Sequence, residues 1–435
     1  MKKTMIGMAA LVMLGGTVTF AGAATLEDQL RELMAQNKRL TERIIKLEQQ
    51  VNRQGEEQVL IKERSATFAP VQKDKALTDR MKRLEVQVAR QRGEQAREAG
   101  EEEESLWQAI NDHVELSGVV EVEASSWSVD DNGFFEDDDG SDLNLATVEI
   151  GLDARISEWS SAHVLLLYEE GEEDDHVTID EGTITLGNMD KFPFYLSAGK
   201  MYVPFGCFET NMISDPLTLE MGETRDTAMQ IGFETGYFFG SVYAFNGDIK
   251  ESGDDDKIDT YGASLGYVQV TDDKSFDLTF HYINNIADTD GIGDYLEDEV
   301  GDEIDDFVDG FSVHAHVGIG PFTLIGEYLT ALDDFKDDEI AFNGGGAEPE
   351  SWNVELGYTT KLFDRETTFA LGYQGTDESV AFGLPEELYI GTISMELFDH
   401  TYLAFEYFHA EDYDTSDGGT DDDADVATMQ LAVEF

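Results

Sequence analysis

The residues best suited to chemistry are charged side chains that crowd into one short stretch near the middle of the chain. They are Lys200, Glu209, Asp215, Glu220, Glu223, Arg225 and Asp226. Acidic and basic walls that face each other across a narrow passage create a transverse field that selects among ions. We therefore predict that this stretch constricts a pore. An ordinary external loop is the alternative interpretation.

A second set of carboxylates could bind a hard cation. Asp288, Asp290, Asp294 and Glu297 follow one another closely around two glycines. Closely spaced carboxylate oxygens are the ligands that Ca²⁺ prefers. Because their spacing differs from that of an EF-hand, both a structural Ca²⁺ site and simple solvated loop charge stay open. No other cofactor is predicted.

Motifs for catalysis are missing from the sequence. It contains no Gly-x-Ser-x-Gly pattern between a strand and a helix, no His-Glu-x-x-His and no P-loop. His314 and His316 share one strand face, which favours polar residues lining a lumen over a metal pair. Cys207 is the only cysteine, so it forms no internal disulfide, and we interpret it as a packing residue. We predict that the protein is not an enzyme.

Charge divides the chain into two parts. The formal net charge is -65, yet most of the 28 Lys and Arg residues lie before Ser105, where they nearly balance the acids. The excess negative charge therefore belongs to the part after that residue. Such a field repels nucleic acid and attracts cations, and the change in composition predicts a domain boundary near residue 105.

After about residue 113, apolar and polar residues alternate with a period of two. In the first such segment, Val120 and Val122 alternate with Glu121 and Glu123. An apolar face towards lipid and a polar face towards water is typical of membrane barrels, and we count roughly sixteen candidate strands. The fold class that we predict is an all-β, antiparallel transmembrane barrel over residues 106–435.

Short and long connections alternate between these strands, as they do where one barrel end is periplasmic and the other external. Short turns are predicted at 157–161, 188–193, 236, 271–275, 319–321, 362–366 and 398–400. Long connections are predicted at 130–142, 169–176, 247–257, 286–309, 332–350 and 411–425.

The final strand carries the strongest local signal. Its apolar row runs from Ala427 to Phe435 at every second position. A terminal strand that ends in Phe looks like the assembly signal of outer-membrane barrels. We therefore predict that the barrel assembly machinery recognises Phe435. The alternative is a soluble protein that ends in Phe by chance.

A signal peptide and a helical segment with its linker are predicted in front of the barrel. Residues 1–23 have the charged start, apolar run and small-residue cleavage pattern of a signal peptide, which predicts cleavage before Ala24. Residues 24–105 contain heptads that alternate steps of four and three residues, with Asn37 at a position that fixes coiled-coil register. We predict a periplasmic coiled coil that forms a homo-oligomer, dimer or trimer. A lone helix packed on the barrel is the alternative.

Two short runs of sequence resemble a known family. A signal peptide, a heptad segment and an acidic barrel accompany the runs Val203-Pro204-Phe205-Gly206 and Ser214-Asp215-Pro216-Leu217. Together they are similar to the LbtU-type siderophore porin family. The resemblance implies an outer-membrane channel associated with siderophore uptake, without an energised plug. It assigns no siderophore-binding residue.

These features predict an outer-membrane porin that passes small solutes, including ferric siderophores, by passive diffusion through a cation-preferring pore. The alternative is a structural or adhesive barrel with a closed lumen, which the coil tethers to a periplasmic partner. Both interpretations place the barrel in the lipid bilayer of the outer membrane and exclude nucleic acid as a partner.

Overall fold

The structure, a computed structural model, describes residues 113–129, 139–170, 176–253, 257–271 and 273–435. The predicted signal peptide and the heptad segment with Asn37 lie outside the described residues. None of the helices in the described ranges combines the length and apolarity that a transmembrane helix requires.

Sixteen antiparallel strands form one closed barrel. They are β1 (Val114–Val129), β2 (Asp139–Ser157), β3 (Ser160–Tyr168), β4 (Thr178–Asn188), β5 (Phe192–Tyr202), β6 (Arg225–Thr235), β7 (Phe238–Phe245), β8 (Thr260–Val270), β9 (Lys274–Ile283), β10 (Gly310–Ile319), β11 (Phe322–Ala331), β12 (Glu350–Leu362), β13 (Arg365–Asp377), β14 (Glu387–Phe398), β15 (Thr401–Glu411) and β16 (Asp423–Glu434). Each strand pairs with its neighbours in sequence, and β16 pairs with β1. The predicted strand number and antiparallel barrel are confirmed.

The period of two in the sequence fixes which side chains face outward. On β12, Val354 and Leu356 are about half exposed, whereas Asn353 and Glu355 between them are fully buried. Successive side chains of a strand point to opposite faces, so the apolar row forms the outer surface and the polar row faces the interior. A barrel also leaves no unpaired strand edge.

The two ends of the barrel differ as predicted. All seven predicted short turns join consecutive strands at one end, and the long connections lie at the other. One long connection, residues 378–386, was missing from the prediction. The predicted long connection 286–309 is present, and it contains a 3-10 turn (Ile286–Asp288) and a helix, which we label α2 (Asp290–Glu299). Its apolar residues Ile292 and Leu296 are fully buried, which explains the helix.

The long connections fold together into an apolar core. Phe205, Met221, Ile286, Ile292 and Leu296 belong to one buried cluster that also includes residues of the connections after β7 and β11. Apolar area removed from water stabilises such a cluster by roughly 25 cal/mol per Å². The connections after β5, β7, β9 and β11 therefore form a folded unit and not separate loops.

Phe435 completes the junction where the barrel closes. Its N–H donates to the carbonyl of Gly118 and its own carbonyl accepts from the Gly118 N–H, both at 3.0 Å. The Phe435 ring covers Gly118, where any β-carbon would collide with it. An aromatic ring over a cross-strand glycine fills the gap that the missing side chain leaves.

We expect Phe435→Ala to lower the free energy of unfolding by about 1 kcal/mol, the upper range for a cross-strand side-chain pair. Urea titration of the detergent-folded barrel measures it. Phe363, which is 85% exposed in a short turn, supplies the control variant Phe363→Ala. Equal losses in the two variants would contradict a specific role of the Phe435–Gly118 contact.

Candidate functional site

The connection between β5 and β6, residues 203–224, leaves the wall on which it starts and crosses the barrel interior. We call it the constriction segment. It includes a short helix, α1 (Leu217–Gly222), and its backbone reaches inward-facing side chains of β11, β12, β13 and β15. Those strands lie on the far side of the barrel, so the segment divides the lumen.

Glu327 on β11 receives the first part of the segment. Its carboxylate accepts hydrogen bonds from the backbone N–H groups of Cys207 (2.7 Å) and Phe208 (2.8 Å). Each carboxylate oxygen takes one of two successive N–H groups. The side chain is only 4% exposed, so water does not compete strongly for these bonds.

Two further glutamates repeat this arrangement along the segment. Glu355 on β12 accepts from the Asn211 N–H at 2.8 Å and from the Thr210 hydroxyl at 2.5 Å. Glu406 on β15 accepts from the N–H groups of Ile213 (2.6 Å) and Ser214 (3.0 Å).

Beyond these glutamates, the Gln374 amide oxygen on β13 accepts from the Leu217 N–H at 2.8 Å. Four strands of one wall, β11, β12, β13 and β15, thus bind peptide groups along the segment.

Charge-assisted hydrogen bonds offset the cost of burying these carboxylates. Glu355 and Glu406 are 0% and 1% exposed, and in the described part of the chain no lysine or arginine pairs with Glu327, Glu355 or Glu406. Burying an unpaired carboxylate costs several kcal/mol, and each hydrogen bond to a charged group returns about 1.5–3 kcal/mol. The buried glutamates of the wall therefore need the hydrogen bonds from the segment to offset their desolvation, and the segment needs the same bonds to keep its path across the lumen.

Glu209 forms a further contact between the segment and the wall. His316 Nδ1 donates to Glu209 Oε1 at 2.7 Å, and His314 Nε2 lies 3.5 Å from Glu209 Oε2. The contact with His314, followed by that with His316, holds the pKa of Glu209 below its usual value. Glu209 thus lies between the two histidines, hydrogen-bonded to His316 and within 3.5 Å of His314. Nearby, Cys207 Sγ lies 3.5 Å from His281 Nε2.

On its other side, the segment borders an open cavity with a volume of about 1010 Å³. The opposite border is the inner face of β1, β2 and β3. Acidic side chains of the wall and the segment dominate the lining, namely Glu121, Glu123, Glu149, Glu169, Glu170, Asp180, Asp215 and Glu223. Apolar side chains of the two borders, Val119, Leu165, Leu167, Ile213 and Leu219, complete the passage.

Arg225 is the basic residue among those that line this cavity. Its guanidinium is bound to Asp180, which is 2% exposed, and lies over the ring of Tyr202 with its carbon 5.8 Å from the ring centroid. The expected basic wall opposite an acidic one is therefore wrong in the described residues, since both borders carry carboxylates and the one guanidinium is paired.

The remaining predicted constriction residues do not all meet at the cavity. Asp215, Glu223 and Arg225 line it, and Glu209 faces the opposite wall. Lys200 lies on β5 with its Nζ 3.3 Å from the Ile179 carbonyl.

Asp226 is paired with Met201 in the ladder between β5 and β6. Glu220 lies on α1, and its carbonyl is covered so closely by Gly291 of α2 that a β-carbon on Gly291 would clash.

The four candidate calcium ligands lie on and beside α2, and Asp288 and Asp290 bind different partners. Asp288 accepts from the Ile249 N–H (2.9 Å) and the Thr260 hydroxyl (2.5 Å), and burial raises its pKa to about 6. Asp290 accepts from the Arg225 N–H at 3.2 Å. Within the described ranges, no group of three or more His, Cys, Asp or Glu side chains is arranged to hold a metal ion. Calcium binding by Asp288, Asp290, Asp294 and Glu297 stays a prediction.

Glu223 gives the cavity a charge that depends on pH. Burial, followed by the carboxylates of Asp290 and Asp215, raises its pKa to about 7. The folded protein therefore holds this proton to a higher pH than the unfolded chain, so the Glu223 contribution to stability falls as pH rises from about 4.5 to about 7.

We expect the reversal potential of the barrel in a salt gradient to move in the direction of cation permeability as pH rises through about 7, because Glu223 then becomes charged. The reversal potential in a salt gradient, recorded on both sides of neutral pH, measures this step. Glu223→Gln should remove the step while the same variant of Glu170, at the cavity edge, keeps it. A step that survives in Glu223→Gln belongs to another group.

Sequence reasoning missed the wall residues Glu327, Glu355 and Glu406 as well as the cavity acids of β1 and β2. Each is an acid at an inward position of a strand whose outward positions are apolar, and this pattern was visible in the sequence. Which peptide groups they bind depends on the path of the segment, which the pattern does not contain.

No family model matches the chain. A UPF0422 protein of Legionella pneumophila (strain Lens) is 28% identical over 362 residues, which cover 74% of this chain and 66% of the relative. A UPF0422 protein of Coxiella burnetii is 29% identical over 279 residues, covering 62% and 59%. The matched region thus spans slightly less than two thirds of the Legionella relative and 59% of the Coxiella relative.

Solved structures of outer-membrane barrels share the fold. The outer membrane channel DcaP of Acinetobacter baumannii aligns with a TM-score of 0.51 at 13% identity, over 74% of this chain and 97% of that one. OprB of Pseudomonas putida aligns with a TM-score of 0.52 at 11% identity, over 75% and 96%. An anion-selective porin from Comamonas acidovorans gives 0.52 at 12% identity, over 74% and 99%. The fold is that of an outer-membrane porin.

Proposed function

We propose that the protein is an outer-membrane porin that passes small solutes by passive diffusion and prefers cations. One observation carries this proposal. The constriction segment is held against one wall of the barrel, and an acid-lined cavity of about 1010 Å³ stays open along the other. A passage lined by one sign of charge concentrates ions of the opposite sign.

The outer surface supports a position in a bilayer. Exposed apolar side chains follow the outward rows of the strands, and aromatic pairs lie near both ends of the barrel. Tyr237 and Phe238 contact Tyr267 at the short-turn end, and Tyr373 contacts Tyr389 at the other. Aromatic girdles at the two membrane interfaces are typical of such barrels.

Ferric siderophore uptake is a finer proposal that rests on the family resemblance of the segment alone. An anionic ferric chelate would meet carboxylates on both borders of the cavity, which opposes its entry. A structural barrel with a closed lumen is the second candidate, and the buried apolar cluster of the long connections favours it. The heptads with Asn37 support a homo-oligomer, and Phe435 supports recognition by the barrel assembly machinery.

Single-channel recording of the full chain in a planar bilayer under a salt gradient tests the proposal. We expect discrete channels whose reversal potential has the sign for cations. Preparations that are folded but give no channels would refute the pore and favour the structural barrel. Channels that prefer anions would refute only the cation preference. Added ferric siderophore should reduce the current if the chelate enters the passage, and an unchanged current would refute that refinement.

A further inference from the structure

His314 is the buried imidazole that the pore model leaves without a role. It is 3% exposed, and neither of its ring nitrogens has a hydrogen-bond partner in the structure. A buried polar group that is left unpaired costs about 1–3 kcal/mol. Such a group calls for a ligand or for a second protonation state in which its surroundings suit it.

The surroundings of His314 suit a cation. Its Nε2 lies 3.5 Å from Glu209 Oε2 on the constriction segment, and its Nδ1 lies 3.9 Å from Asp277 Oδ1 on β9. Glu327 is its cross-strand partner on β11. A neutral imidazole offers one donor, whereas an imidazolium offers two, one for each carboxylate.

The other titratable groups around this position are already satisfied in their neutral or anionic forms. His316 on the same strand donates from Nδ1 to Glu209 and accepts at Nε2 from the Ser275 hydroxyl at 2.9 Å. His281 on β9 donates from Nδ1 to the Pro204 carbonyl at 2.9 Å and faces the Cys207 thiol through Nε2. Of the three histidines, His314 is the one whose contacts improve with a second proton.

We propose that His314 is a proton-binding site that positions the constriction segment. A proton taken from water by the neutral imidazole gives an imidazolium whose two N–H groups point at Glu209 and Asp277. The attraction draws Glu209, and the segment with it, towards the wall formed by β9 and β10. Because Glu209 is 42% and His316 20% exposed, water in the lumen can deliver the proton.

Protonation of His314 adds to passive diffusion a dependence of the position of the segment on pH. In acid the added contact restrains the segment, so brief closures of the channel become rarer. In alkaline solution His314 is neutral and Glu209 is held by His316 alone.

Nuclear magnetic resonance of the full chain in detergent micelles, with labelled histidine, tests the site whether or not the barrel conducts. We expect the His314 resonance, assigned through His314→Gln, to move with pH at a single midpoint as the imidazole takes up its second proton. Glu209→Gln should lower this midpoint by about one unit, a tenfold loss of proton affinity. A midpoint that Glu209→Gln leaves unchanged would overturn the proposal.

Single-channel recording gives the second readout. The frequency of closures should be lower at about pH 5.5 than at about pH 8, a range in which histidine changes charge. His314→Gln should abolish the difference. The control is His163→Gln, because His163 forms a pair with Asp153 at 2.9 Å on β2 and β3, away from the segment. Closures that keep their pH dependence in His314→Gln would refute the positioning role. A barrel that gives no channels refutes the proposed function, and the resonance titration then decides this proposal alone.

Discussion

Replacing Glu355 and Glu406 together by alanine will release the middle of the constriction segment and raise the single-channel conductance by about twofold, since the cross-section of the open passage limits the current. The two carboxylates accept the peptide N–H groups of Asn211, Ile213 and Ser214. Without them, these N–H groups bind water and the segment is free to move away from β12 and β15.

We expect the double variant to disturb the position of the segment more than the stability of the barrel. Removing a buried carboxylate also removes its desolvation cost of several kcal/mol, and the strand ladders on both sides stay intact. We therefore expect the heat-modified gel shift of the folded barrel to persist. The conductance change and folded state together distinguish a released segment from a collapsed barrel.

Glu387→Ala provides the matched control for this double variant. Glu387 begins β14 and accepts hydroxyl hydrogen bonds from Tyr373 and Tyr389, and it does not bind the segment. Its loss should leave conductance unchanged. A double variant with the conductance of the parent would mean that the segment stays in place without its glutamates, and the account of how it is held would be wrong.

Neutralising the cavity wall should have the second large effect. The triple variant Glu121→Gln, Glu123→Gln and Glu149→Gln keeps side-chain size and removes three charges from the border formed by β1 and β2. A lined passage can enrich ions of one sign by at least tenfold. We expect the ratio of cation to anion permeability, obtained from the reversal potential, to fall by about tenfold.

The control changes the same number of charges far from the passage. Asp333, Asp334 and Asp337 are exposed in the long connection after β11, and all three can become asparagine. If net charge alone set the preference, both triple variants would shift the reversal potential equally. An equal shift would assign the selectivity to the whole protein and not to the cavity.

Much of the barrel was predictable because its physical cause is local. A strand with one outward and one inward face can be read from adjacent residues, as in the alternation of Val354 and Leu356 with Asn353 and Glu355. The short turns can be read from adjacent residues too. An even number of strands makes the closing pair of β1 and β16 antiparallel. The fold of the long connections was not predictable in this way, since the helix α2 forms where Ile292 and Leu296 meet apolar residues from distant connections.

The candidate site likewise has features with local causes, which were predictable, and features with long-range causes, which were not. The sequence indicated the constriction segment by its charge, and Asp215, Glu223 and Arg225 do line the cavity. It could not show that Arg225 is bound to Asp180, a contact between residues on different strands. Nor could it show that Glu209 meets His314 and His316, because that contact depends on the path of the segment across the lumen.

The wall glutamates bind the segment mainly through its peptide N–H groups, which every residue except proline possesses. The path of the segment is therefore nearly independent of which side chains it carries towards the cavity. Ile213, Asp215 and Leu219 could be exchanged for other residues while the backbone keeps its course. Substitutions at a few positions that face the cavity can therefore change which solutes pass, while the barrel and the backbone of the segment keep their structure.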